Sequence, residues 1–180
     1  MNTRILWTFA AAANQFKDDL YKTMAKRAYT YLLKYFRDLE NGGLYWLVDY
    51  KGNPTDTKKQ IYGQAFGIYG LSEYYKLTHD DNALNLAIEL FDLIEEYSLD
   101  VELNGYLEAF DKDWVLLDDL RLSDIDANEV KTMNTHLHVL EAYTTLFEVR
   151  KDAKIRKALS NLVDLFLSRF INKDYHFNLF

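Results

Sequence analysis

The chain has 180 residues, 49% of them hydrophobic and 27% charged, a composition that excludes disorder and collagen-like structure. Its formal charge of -7 repels polyphosphate and anionic lipid at long range, which argues against nucleic acid and membrane surfaces as partners. The absence of cysteine removes disulfides, thiol catalysis and thiolate metal sites, and the four histidines lack the HExxH spacing, which leaves little for zinc. A cysteine-free chain fits a reducing compartment, and a cytoplasmic location is the expectation.

Met1 to Ala13 carries a short apolar run with one basic residue, but Trp7, Thr8 and Asn14 interrupt it, so it reads as a buried helix (Thr3 to Gln15) and not as a secretory signal. Leu20, Met24, Ala28, Tyr31, Leu32, Tyr35, Phe36 and Leu39 then recur at steps of three and four, predicting an amphipathic helix that Asn41-Gly42-Gly43 stops. Leu44 to Asp49 reads as extended and Lys51-Gly52-Asn53-Pro54 as a turn. Helices follow over about Thr57 to Leu77 and Asp81 to Tyr97, with N-caps available in Thr78-His79-Asp80-Asp81. After Asn104-Gly105-Tyr106 comes an acidic loop region, Asp111 to Asp126. Helices from about Asn128 to Arg150 and Ala153 to Phe170 complete six helices in three hairpins.

The hairpins echo one another. Asn41-Gly42-Gly43-Leu44-Tyr45 is answered by Asn104-Gly105-Tyr106, and a shift of 72 lays Leu71, Tyr74, Tyr75, Leu90 and Ile94 on Tyr143, Leu146, Phe147, Leu162 and Phe166. Such a period marks a repeat architecture, an open solenoid or a closed α/α toroid. The helices starting near Thr57 and Asn128 place Tyr62, Gln64, Tyr69, Asn134, His136, His138 and Tyr143 on otherwise buried faces. Buried polar groups need partners or a wet cleft, and an inner ring of helices around a polar cleft supplies both.

Four segments carry a specific resemblance: Asn2-Thr3-Arg4-Ile5-Leu6-Trp7-Thr8-Phe9, Gly42-Gly43-Leu44-Tyr45-Trp46, Tyr62-Gly63-Gln64-Ala65-Phe66-Gly67-Ile68-Tyr69-Gly70-Leu71-Ser72 and Met133-Asn134-Thr135-His136-Leu137-His138-Val139-Leu140-Glu141-Ala142-Tyr143. In order and over nearly the whole chain, they resemble signatures of the N-acylglucosamine 2-epimerase superfamily, and within it they look most like its cellobiose 2-epimerase branch. The resemblance implies an all-α fold of the (α/α)6-barrel type, here a partial barrel of about three hairpins forming one domain over residues 1–180. It also implies interconversion of a β-1,4-linked disaccharide ending in glucose with its mannose-ended epimer, without metal or nucleotide. That chemistry opens the ring, removes the C2 proton and returns it from the other face, which calls for two groups of near-neutral pKa and for donors to the enediolate oxygen. The resemblance places the two acid/base histidines in a carboxyl-terminal half that this sequence stops short of, so the chain is expected to supply sugar-binding residues without the acid/base pair.

Residue by residue, the resemblance implies that Arg4 meets the sugar oxygens near the reacting carbon, as its planar donor fork suits. Tyr62 matches a substrate-contacting tyrosine; a core ring with a satisfied hydroxyl is the alternative. Asn134 and His138 stand one helical turn apart on one face, and the resemblance directs both at the sugar, His138 with an auxiliary part in positioning or ring opening. Glu141 is expected to support them, His136 to point elsewhere. Asp126 matches an acidic loop position, with an exposed carboxylate as the alternative reading. Asp118, Asp119, Asp124 and Asp126 lack the spacing of a calcium loop.

Three other readings stay open at this stage: an N-acylglucosamine 2-epimerase or aldose-ketose isomerase, a non-catalytic α/α module that binds glycans or a partner chain, and a glycosidase, for which no convincing carboxylate pair stands out. A half-barrel is also expected to expose apolar flanks and to self-associate through them.

Overall fold

A computed structural model describes residues 1–179. Six helices form three antiparallel hairpins: α1 (Asn2–Phe16) with α2 (Asp19–Tyr31), α3 (Ile61–Thr78) with α4 (Asp81–Leu93), and α5 (Met133–Val149) with α6 (Ala153–Leu165). The odd-numbered helices pack side by side, α1 on α3 and α3 on α5, and each even-numbered helix packs behind its own partner. This two-layer arrangement buries α3 most deeply, with Ile61, Ala65, Ile68 and Leu71 fully enclosed. Gly70 is required there: a Cβ at that position would stand 2.9 Å from the Thr3 carbonyl oxygen and 3.2 Å from Leu6. No helix among the described residues is long and apolar enough to cross a membrane.

The three hairpins share local devices. Each second helix starts on an aspartate N-cap, the side chains of Asp18, Asp80 and Asp152 accepting the N–H of Leu20, Asn82 and Lys154. Each second helix also ends in a widened π-helical turn, at Leu32–Phe36, Ile94–Ser98 and Phe166–Phe170. A tight turn follows, closed by the bridges Arg37 to Leu44, Leu99 to Tyr106 and Ile171 to Phe177. In all three, a side-chain oxygen at the start of the turn (Asp38, Asp100, Asn172) accepts two of its backbone N–H groups.

Several element boundaries differ from the sequence expectation. The second helix leaves α-geometry at Leu32 and the chain is extended by Arg37, ahead of the expected stop at Asn41. Residues 57–60 are not helical, because Lys59–Gln60 (β3) pair antiparallel with Ala109–Phe110 (β4) and tie two long connections together. Leu47–Val48 (β1) and Pro54–Asp56 (β2) form a second small ribbon, in accord with the extended piece and turn read there. Residues 128–132 are likewise non-helical: the Asn128 side chain bridges the Asp118 carbonyl and the Leu120 N–H, and Thr132 caps α5.

Candidate functional site

The amino-terminal halves of α1, α3 and α5 lie together, so that Arg4, Tyr62 and His138 converge from three helices. Arg4 Nη1 donates to the Tyr62 hydroxyl at 3.4 Å, and its guanidinium stacks 5.1 Å above the centre of the Phe66 ring. His138 sits edge-on to Tyr62 at 4.8 Å between ring centres and 4.5 Å from Phe66. Phe66 therefore seats both the cation and the imidazole. Tyr62, Phe66 and Tyr69 form one stripe of α3, and Trp7 of α1 extends it, 5.0 Å from Tyr69. Arg4 is exposed and its only hydrogen bond among the described residues goes to Tyr62, so most of its donor fork faces outward.

His138 Nδ1 is 2.7 Å from Glu141 Oε2, one turn along α5, as the supporting role expected of Glu141 requires. A carboxylate there accepts Nδ1–H and leaves Nε2 of the neutral ring as an acceptor. The partly buried Tyr69 hydroxyl is raised above its usual range, first by burial and then by the charges of Glu141 and Glu73.

Asn134 and Asp126 fall in an adjoining cavity of about 380 Å³ between the acidic loop and the start of α5, which Glu108, Leu120, Arg121 and Ile125 also line. Both side chains are exposed, and the Asp126 carboxylate accepts the Ser123 hydroxyl at 2.7 Å. Asp119 pairs with Arg121 through both carboxylate oxygens, at 2.8 Å each, so this part of the loop neutralises itself. The structure thus brings three of the five expected residues into one cluster and sets Asn134 and Asp126 apart, in the recess between the acidic loop and the start of α5.

His136 points away from this face, as expected. Its ring is buried, Nε2 accepts the Tyr106 N–H at 2.8 Å and Nδ1 lies 2.6 Å from the Thr132 carbonyl.

Sequence reasoning placed Tyr69 on the cleft face but missed Phe66, Trp7 and Glu108. Phe66 carried a signal, since positions 62, 66 and 69 share a helical face. Glu108 carried none: it lies in an aperiodic stretch, yet its carboxylate accepts the Thr132 N–H at 2.7 Å and the Thr135 hydroxyl, holding the start of α5. Burial, the largest influence, pushes this carboxyl up to about 7, against the pull of those donors. Because the folded value lies above the unfolded one, Glu108 contributes stability at low pH that is lost as pH rises from about 4.5 through about 7. Glu108→Gln is therefore expected to gain stability relative to the native chain across that interval, read from urea midpoints; a pH-independent difference would contradict the placement.

Known proteins share this sequence and fold. The chain is 51% identical over its whole length to the cellobiose 2-epimerase of Bacteroides fragilis and 42% identical to that of Dictyoglomus turgidum, covering 46% of each. It matches the solved cellobiose 2-epimerase of Bacillus thermoamylovorans B4167 with a TM-score of 0.95 at 42% identity, over 99% of this chain and 46% of that one. The six helices correspond to part of the α/α toroid of those enzymes, and the chain spans about half the length of the relatives it matches. A D-mannose isomerase structure at 23% identity and TM-score 0.76 shares the fold. The N-acylglucosamine 2-epimerase (GlcNAc 2-epimerase) family matches residues 1–178, and the chain belongs to that family.

Proposed function

We propose that these residues form part of the substrate cleft of a carbohydrate 2-epimerase, acting on the reducing-end glucose of a β-1,4-linked disaccharide. The observation that carries this reading is the convergence of an exposed arginine and a carboxylate-paired histidine on Tyr62 and Phe66, with Tyr69 and Trp7 extending the aromatic stripe. Aromatic faces take the apolar faces of a sugar, and the polar groups above them take its hydroxyls.

In the opened sugar, removal of the proton at C2 leaves an enediolate with charge on the oxygen of C1. Arg4, pinned by Tyr62 and Phe66, presents its remaining N–H groups where that charge develops. His138, with Nδ1 held by Glu141, offers Nε2 to a ring hydroxyl, a position from which it can help the ring open. Asn134 and Asp126 reach the sugar from the adjoining recess. One group takes the proton from C2 and a second, already protonated, delivers another to the opposite face; the family resemblance assigns this pair to two histidines in the portion of the relatives that the chain does not cover.

Cellobiose titrated into the chain is expected to shift amide resonances in the amino-terminal halves of α1, α3 and α5. Arg4→Ala should weaken binding about tenfold or more, as loss of a charge-assisted hydrogen bond does. Shifts confined to α2, α4 and α6 would overturn the assignment.

A further inference from the structure

Gln64 and His136, which the sugar reading leaves unused, occupy the same place in consecutive hairpins. Gln64 Oε1 accepts the Leu44 N–H at 2.8 Å, and His136 Nε2 accepts the Tyr106 N–H at 2.8 Å. Each acceptor lies against the glycine before that N–H: a Cβ on Gly43 would stand 3.2 Å from Gln64 Oε1, and one on Gly105 2.8 Å from His136 Nε2. Both glycines have positive φ, 76° and 86°, which turns the next N–H toward the helix. Five residues before each acceptor stands a lysine whose ammonium meets the aspartate opening the same turn, Lys59 with Asp38 at 2.7 Å and Lys131 with Asp100 at 2.6 Å.

We infer that Gln64 and His136 are equivalent positioning residues, each joined with its upstream lysine in a two-point latch that fixes a first-layer helix against the turn closing the preceding hairpin. His136 then acts as a neutral hydrogen-bond acceptor that sets the placement of α5. The tautomer follows from the partners: the Tyr106 N–H can only donate, so Nε2 carries a lone pair, and the proton sits on Nδ1 and goes to the Thr132 carbonyl. Phe170 packs on the ring at 5.0 Å and adds no charge. The charged groups nearby are Lys131, neutralised by Asp100, and Glu108, bonded to the N–H of the same Thr132. Burial foremost, with Lys131 adding to it, holds the His136 imidazole down at about 4. The placement of α5 carries Asn134 and His138 with it; their part in binding rests on the sugar reading, the latch does not.

The test compares the native chain with His136→Gln and His136→Phe. Glutamine restores the acceptor and phenylalanine keeps only the ring. His136→Gln is expected to melt within about 2 °C of the native chain at pH 7, and His136→Phe roughly 5 °C or more lower, the effect of stranding the Tyr106 N–H. As pH falls from about 6.5 toward 4, the unfolded imidazole takes a proton that the folded ring refuses, so native stability declines, and His136→Gln lacks that share of the decline. Long-range proton–nitrogen NMR of the native chain should show the Nδ1–H tautomer unchanged at pH 5, a readout that needs no variant to fold. Equal melting of His136→Phe and His136→Gln, or titration of His136 near 6.5, would overturn the latch. If the native chain binds no cellobiose, the sugar reading falls while these measurements still decide the latch; if it binds, His136→Gln should keep the affinity within about twofold.

Discussion

Lys59→Met is expected to destabilise the chain by about 3–5 kcal/mol, the usual cost of removing one member of a buried ion pair. The Lys59 and Asp38 side chains are 0% and 1% exposed, with the ammonium 2.7 Å from the carboxylate. Lys59 also lies 4.8 Å from the centre of the Tyr45 ring, so its charge is held by a carboxylate and an aromatic face. Without it, Asp38 keeps a buried charge that the turn amides and the Asn41 side chain offset in part. Burial alone would raise the Asp38 carboxyl; the Lys59 ammonium and the Asn41 and Glu40 amides outweigh it and hold the group down at about 2. The sign follows: the folded value lies below the unfolded one, so the pair's contribution is present above about 3.8 and lost as pH falls toward about 2. Urea unfolding at pH 7 and pH 3 checks both statements, and a partial recovery in Lys59→Met/Asp38→Asn would assign the cost to the stranded carboxylate. A loss below about 1 kcal/mol would mean that the pair is solvated, as surface pairs are.

The second large effect concerns Arg4. Joining residues 1–178 to the carboxyl-terminal portion of the Bacteroides fragilis enzyme, 51% identical over the shared part, gives a chimera of the relatives' length. In it, Arg4→Ala is expected to lower kcat about 10²–10³-fold, the range seen when a preorganised donor to a developing oxyanion is removed. KM should change less, because the interaction strengthens as charge appears on the enediolate oxygen. Arg4→Lys should recover only part of the rate, since an ammonium keeps the charge and loses the planar fork that Phe66 and Tyr62 orient. A rise in KM at unchanged kcat would assign Arg4 to ground-state binding alone.

Periodicity was sufficient to read six helices and their pairing, because each second helix keeps an apolar stripe with a capping aspartate ahead of it. It failed at 57–60 and 128–132, where neighbouring helical sequence continues the pattern while β3 pairing and the Asn128 bridges hold the backbone extended. The shift of 72 already laid Gln64 on His136, but unlike side chains conceal a shared acceptor role that only the turn N–H groups disclose. Arg4, Tyr62 and His138 were legible through motif resemblance, and the structure adds what spacing cannot give, the seating of two of them on Phe66. Nothing local in the sequence distinguishes the buried Lys59 and Asp38 from solvated charges.

The most direct measurement follows the C2 proton of the reducing-end glucose of cellobiose in D2O by NMR, with the chimera and with the 180-residue chain alone. If the chain supplies the sugar-binding wall and the other half of the toroid supplies the acid/base pair, the chimera exchanges that proton and accumulates the mannose-ended epimer, while the chain alone does neither. Exchange by the chain alone, or a folded chimera that leaves the C2 proton untouched, would contradict it.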